Sequence, residues 1–349
     1  MKAATPAATT VLKHARALAS VLLDHGDLLV KVESRMTELA GDRVLDPGAE
    51  MLHEHLGTGG KRLRARLALA ACHALGGRSE YAVDWAAAVE LLHNASLIHD
   101  DIQDGDRSRR DKPALWARHG IAQAINAGDL LLMLPFRALG GYPDALQSAL
   151  VQILAEYAEG TARGQIHELA LTASSDKGWG DYFSAVSGKT GTLFALPVRG
   201  AAELAGLEPD EANNVALTFS SIGVLYQLQD DLLDLFESKG RGSCGSDIYE
   251  GRLSAVVLTH LDLHPSDAVA VFEILNKPRD ETKHHEVSQM IERFIEGGAA
   301  AQLLDRIHLM ASGLLASKGT GVRSDIQAVA RELVHRVLTP IDALEGGLS

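Results

Sequence analysis

Residues 85–104 read Trp-Ala-Ala-Ala-Val-Glu-Leu-Leu-His-Asn-Ala-Ser-Leu-Ile-His-Asp-Asp-Ile-Gln-Asp, a run of good helix formers that ends in carboxylates. Over 85–98 the apolar residues spread around more than one face, so a helix here belongs inside a bundle rather than on its surface. The stretch 216–235 has the same character and closes on Gln229-Asp230-Asp231-Leu232-Leu233-Asp234. Breaker clusters at 76–77, 140–143, 174–180, 206–209 and 239–245 separate further Ala- and Leu-rich segments. Two-residue alternation bounded by hairpin turns is hard to find. The pattern predicts an all-α protein, a single large helical bundle. No low-complexity tract or shift in composition marks a linker, so one domain is expected over 1–349.

The composition narrows the class. The chain has 349 residues, 46% hydrophobic and 23% charged, which is ordinary for a folded globular protein. Two cysteines, Cys72 and Cys244, make no disulfide framework and lack zinc-ligand spacing. A formal net charge of −13 argues against a nucleic acid partner, which needs a basic footprint. No apolar run reaches the roughly 20 residues that cross a bilayer, and the first residues lack an apolar signal core. A cytoplasmic protein with no transmembrane segment is expected.

On a helix, Asp100 and Asp104 share a face, Asp101 points about 100° away, and His93 lies two turns earlier on nearly the same side. The second patch repeats the spacing: Asp230 with Asp234, Gln227 with Asp231. Like charges at this spacing cost a helix a few tenths of a kcal/mol per pair, which a solvated face could carry once. Two such patches in otherwise apolar helices point instead to bound cations. Hard oxygen ligands suit Mg²⁺, which takes one or two protein carboxylates and completes its shell with water and phosphate. Basic residues supply the counterpart. Gly59-Gly60-Lys61-Arg62-Leu63-Arg64 sets two glycines before three cations, Arg109-Arg110 follows Asp104, and Lys189-Thr190 sits between Gly188 and Gly191 where an apolar helix should loosen. Lys239, Arg241 and Arg252 surround the Gly-rich stretch that ends at Asp247.

In this order the motifs resemble those of the trans-polyprenyl diphosphate synthases, class I isoprenoid synthases. Asp100-Asp101-x-x-Asp104 with Arg109-Arg110, then Gln227-x-x-Asp230-Asp231-x-x-Asp234, match that family's two Asp-rich patterns. Gly245-Ser246-Asp247, Glu250-Gly251-Arg252, Gly60-Lys61-Arg62-x-Arg64, Gly164-Gln165 and Gly188-Lys189-Thr190 also match, and the likeness spans about 59–254. The resemblance implies the isoprenoid synthase bundle, with a central apolar cavity behind a charged mouth. It implies head-to-tail condensation of isopentenyl diphosphate with an allylic diphosphate, by a Mg²⁺-dependent homodimer.

The same resemblance assigns roles. Asp100, Asp104 and Asp230 would hold Mg²⁺, with Asp101, Asp231 and Asp234 behind them or acting through water. Arg109, Lys189 and Arg252 would bind the allylic diphosphate; Lys61, Arg64, His93 and Arg110 would bind isopentenyl diphosphate. Thr190, Gln227 and the Lys189 carbonyl would stabilise developing positive charge. Arg252 and Ser254 stand where Lys and Thr are usual. Ala95 and Ser96, small residues just before the first Asp-rich motif, leave the product channel open. Leu92 offers a deeper partial stop. Twenty carbons or more are expected, with geranylgeranyl diphosphate the leading product. The competing readings are a class I terpene cyclase, which does not need Lys61, Arg64 and Arg110, and a non-catalytic subunit, which does not need both Asp-rich motifs. A His-Asp phosphohydrolase would rest on the His99-Asp100 dipeptide alone.

Overall fold

The structure, a computed structural model, describes residues 22, 25–44, 46–171, 176–236, 244–316, 324–342 and 344. Helices dominate it: α1 (Gly26–Ala40), α2 (Pro47–Leu56), α3 (Leu63–Ala74), α4 (Ser79–Gln103), α5 (Leu115–His119), α6 (Ile121–Ala138), α7 (Asp144–Leu169), α8 (Trp179–Val186), α9 (Thr192–Leu204) and α10 (Pro209–Leu233). Then follow α11 (Ser246–Tyr249), α12 (Ala255–Leu263), α13 (Ala268–Leu275), α14 (His284–Glu296), α15 (Ala299–Ala316) and α16 (Ser324–Asp342). Asp46 caps α2 by accepting from the Gly48 amide at 2.8 Å, with Pro47 just inside the helix. α10 likewise starts at Pro209, and Asp210 and Glu211 in its first turn complement the positive end of its dipole.

The 85–98 stretch lies in α4 and the 216–233 stretch in α10, and both are central. α4 packs on α3 and α6, while α10 packs on α9, α15 and α16. Trp85, wholly buried in α4, donates from its indole to the Pro197 carbonyl of α9 at 2.9 Å, tying the two layers together. The buried apolar side chains form one contiguous cluster from α1 to α16. No helix among the described residues is long and apolar enough to cross a membrane.

One element departs from the all-helix expectation. β1 (Ser108–Arg109) and β2 (Lys112–Pro113) form a two-stranded hairpin with Arg109 opposite Lys112. Its two-residue turn is Arg110-Asp111, with φ of 53° and 61°. Hairpin turns of this hand favour Asn-Gly or Asp-Gly, which is why the sequence pattern conceals it. Holding a non-glycine residue there costs roughly 1–2 kcal/mol. The left-handed turn aims Arg109 and Arg110 to opposite sides, and both directions are used.

Candidate active site

Asp100 and Asp104 sit at the C-terminal end of α4, where Asp104 closes the helix by donating its amide to the Asp100 carbonyl at 2.8 Å. Their carboxylates meet two cations. Lys189 Nζ lies 3.8 Å from Asp100 Oδ1 and donates to Glu168 of α7. Arg252 Nη2 lies 2.6 Å from Asp104 Oδ1, its Nε 2.6 Å from Glu250, and its Nη1 3.6 Å from Glu168. Burial raises the Asp100 pKa, opposed by Lys189. Burial would lower Lys189, yet Asp100 and Glu168 hold it above its ordinary value. Arg252 is pushed higher still by Glu168, Glu250 and Asp104, against its burial.

Lys189 reaches this position through a local defect. Ser187–Gly191 is a π-helical turn between α8 and α9, the loosening expected from its glycines. It lies directly against α7: a Cβ at Gly164 would sit 2.1 Å from the Lys189 amide nitrogen. The turn also sets Thr190 Oγ1 to donate to Gln227 Oε1 at 2.9 Å.

The other three carboxylates are committed to protein partners. Asp101, turned off the Asp100 face and buried, receives Arg109 Nε at 2.7 Å and Nη2 at 2.5 Å. Asp231 accepts from the Tyr182 hydroxyl at 2.8 Å, Gln227 Nε2 at 2.9 Å and the Ala255 amide at 2.8 Å. Asp234 accepts from Ser246 Oγ at 2.5 Å and the Asp247 amide at 3.0 Å. Arg252 then donates its amide to the Asp247 carbonyl at 2.8 Å, so the second patch is connected to Asp104. Asp230 is partly accessible at the same end of α10. A small cleft opens here, with Glu168, Gln227, Asp231 and Arg252 on its polar side and Leu171 and Val186 on its apolar side.

No three His, Cys, Asp or Glu side chains among the described residues converge into a ready-made metal cage. Mg²⁺ needs only one or two protein carboxylates when a diphosphate supplies the remaining oxygens. Asp100 and Asp104, facing cations that could instead pair with a diphosphate, are the chemistry this requires.

The basic rim is assembled beside α4. Arg64 Nη1 donates to His93 Nε2 at 2.9 Å, and its guanidinium lies over the Phe194 ring at 5.3 Å. His93 therefore carries its proton on Nδ1, which is buried without a hydrogen-bond partner among the described residues. Burial and then Arg64 hold His93 well below its ordinary pKa. Arg110 Nη1 donates to the Gly59 carbonyl and lies 3.5 Å from Thr58 Oγ1. Lys61 is exposed beside them. Arg62 serves differently: 8% exposed and left-handed, it donates to the Leu56 carbonyl at 2.8 Å and faces Glu33 and Glu90, holding the loop.

Ala95 and Leu92 are buried in the apolar cluster one and two turns before the Asp-rich motif. Ser96 is partly accessible and donates its hydroxyl to the His93 carbonyl at 2.8 Å. Lys239 and Arg241 lie outside the described residues. The sequence motifs single out no role for Glu168, Glu250, His55 or Arg279. His55, near Arg109, Arg110 and Arg62, has its pKa lowered to about 3, mainly by burial. Nothing in its spacing announces that.

An all-α bundle whose two carboxylate-ended helices are joined through Lys189 and Arg252, with a basic rim alongside, has the architecture of a class I isoprenoid synthase. The chain belongs to the polyprenyl synthetase family, whose model matches residues 48–294. A short chain isoprenyl diphosphate synthase from Methanothermobacter thermautotrophicus is 31% identical over 324 residues, 89% of this chain and 98% of that protein. A geranylgeranyl diphosphate synthase from Cyanophora paradoxa is 36% identical over 203 residues, 55% of this chain and 68% of that one. Relatives named farnesyl diphosphate synthase match as well. The crystal structure of a Caulobacter crescentus polyprenyl synthase, complexed with calcium and isoprenyl diphosphate, superposes with a TM-score of 0.82 at 25% identity, covering 92% of this chain and 97% of that one.

Proposed function

We propose that this chain is a Mg²⁺-dependent trans-prenyltransferase that condenses isopentenyl diphosphate with an allylic diphosphate to give a product of twenty carbons or more, geranylgeranyl diphosphate first among them. The observation that carries the reading is a second group of cations apart from the pair at the Asp100–Asp104 end of α4. Lys189 and Arg252 stand on the Asp100–Asp104 side; Arg64, His93 and Arg110 stand beyond it on the basic rim. One diphosphate would need one such site, as in a terpene cyclase; two substrates need both.

Asp100, Asp104 and Asp230 would hold the metal. Bound Mg²⁺ supplies Lewis-acid neutralisation of the allylic diphosphate, making it a better leaving group. Lys189 and Arg252 turn from their carboxylates to that diphosphate, and Arg109, oriented by Asp101, adds charge. Lys61, Arg64, His93 and Arg110 seat isopentenyl diphosphate, with the unpartnered Nδ1–H of His93 as one further donor. The allylic C–O bond breaks, the isopentenyl double bond forms the new C–C bond, and the released diphosphate takes the proton that restores the alkene. Thr190 Oγ1, the Gln227 amide oxygen and the Lys189 carbonyl face the developing positive charge. Behind the mouth, the apolar bundle keeps water from the cation.

The two-site assignment makes a distinguishing prediction. Lys61→Ala or Arg64→Ala should raise the KM for isopentenyl diphosphate more than that for the allylic substrate, and Arg109→Ala should do the reverse. Steady-state kinetics with each substrate varied in turn is the test; equal effects on both substrates in every variant would refute it.

We also propose one domain and a homodimer. The apolar core is continuous from α1 to α16, which supports the first. α6 carries exposed Ile121, Ile125, Leu130 and Met133 on its outer side, an apolar surface suited to a second copy. Sedimentation equilibrium should give twice the 37.2 kDa chain mass at micromolar concentration; a monomer alone would contradict it. A cytoplasmic location agrees with the two unpaired cysteines.

A further inference from the structure

The loop 276–283, between α13 and α14, is built to present one side chain. Lys277 Nζ pairs with Glu286 at 2.6 Å, Glu286 accepts from the Lys283 amide at 3.0 Å, and the buried Thr282 donates to the Pro278 carbonyl at 3.1 Å. The loop is seated against the end of α11, where Gly251, with φ of 68°, comes so near that a Cβ would stand 2.3 Å from the Leu275 carbonyl oxygen. From this turn Arg279 reaches across to the first Asp-rich motif. It donates to the backbone carbonyl of Asp104, approaches Asp106 Oδ1 at 3.3 Å and stands 3.6 Å from Glu250 Oε1. Asp106 and Glu250 are almost wholly buried carboxylates, for which a nearby cation is a requirement rather than an ornament.

The geometry assigns Arg279 as a positioning residue for the metal-binding end of α4. This rests on the reading of Asp104 as a Mg²⁺ ligand. Two arginines act on Asp104 from different sides: Arg279 holds its carbonyl, and Arg252 holds its carboxylate. Glu250 lies between them, 2.6 Å from Arg252 Nε and 3.6 Å from Arg279. Arg279 therefore fixes where Asp104 projects and shares the carboxylate that restrains Arg252. Without Arg279, the last turn of α4 loses its only arginine contact at the backbone among the described residues. Partners that orient a metal ligand from behind commonly change metal affinity 10–100-fold when removed.

The test is a Mg²⁺ titration of Arg279→Ala and Arg279→Lys beside the unmodified protein. In Arg279→Ala the half-saturating Mg²⁺ concentration should rise about tenfold or more, with a smaller loss in kcat at saturating metal and little change in the KM for isopentenyl diphosphate. Arg279→Lys, which keeps charge but not the forked donors, should fall between. Calorimetric titration of Mg²⁺ into each protein with inorganic diphosphate present should show the same weakening without any turnover. Arg279→Gln serves the comparison should the alanine variant not fold. Unchanged metal affinity by both readouts, even with a lowered melting temperature, would reduce Arg279 to a structural contact and overturn the inference. An unmodified protein that elongates without Mg²⁺ would be a different failure, removing the site reading and the inference with it.

Discussion

Replacing Asp100 or Asp230 with alanine should lower kcat by at least about a hundredfold, the scale of losing one strong electrostatic stabiliser. The expectation follows from geometry that differs between the carboxylates. Asp100 is 3.8 Å from Lys189 and, among the described residues, accepts no close set of donors in the manner of Asp231, so its oxygens would be available to a metal that displaces Lys189. Asp231→Ala would lose three hydrogen bonds in a buried position and should lower stability along with rate. The two outcomes are separable: Asp100→Ala should keep a near-native melting temperature and lose turnover, measured at saturating substrate and Mg²⁺. Near-normal turnover by Asp100→Ala would contradict the metal assignment.

The second large effect concerns what is made rather than how fast. Ala95→Phe combined with Ser96→Phe should shift output from twenty carbons or more toward the fifteen-carbon diphosphate while retaining turnover, read by chromatography of the dephosphorylated products. Ser96 lies one helical turn before Asp100, about 6 Å along the same face, and is partly accessible. Ala95 is buried in the apolar cluster at 1% exposure, with Leu92 a turn deeper. A phenylalanine at Ser96 can project toward the tail. One at Ala95 must displace neighbours, at a typical 1–3 kcal/mol for overpacking, so Ser96→Phe alone should carry most of the shift. An unmodified enzyme that stops at ten or fifteen carbons would show that another residue forms the floor.

Much of this was legible because it is periodic. Asp100 and Asp104 at four-residue spacing, at the end of a helix apolar on several faces, announce the helix and its carboxylate end, and Asp230 with Asp234 repeats the pattern. Glycines flanking Lys189-Thr190 announced a helix defect, and the defect is a π turn. What stayed hidden depends on long-range contact. The hairpin that aims Arg109 and Arg110 turns on Arg110-Asp111, where no glycine marks the turn and Arg110 has no preference for positive φ. Glu168 gains meaning only from Lys189 and Arg252, and Arg279 only from Asp104, 175 residues away. Arg62 shows the opposite limit, since the basic run does not reveal which cation is buried for the loop and which is exposed.

The most direct measurement is to incubate the unmodified protein with Mg²⁺, isopentenyl diphosphate and a short allylic diphosphate, and to follow both substrates and the size of the product. Consumption of isopentenyl diphosphate with accumulation of an allylic diphosphate of twenty carbons or more, abolished by a chelator, is the predicted result. Conversion of the allylic substrate to a hydrocarbon or alcohol with isopentenyl diphosphate untouched, or no conversion at all, would contradict it.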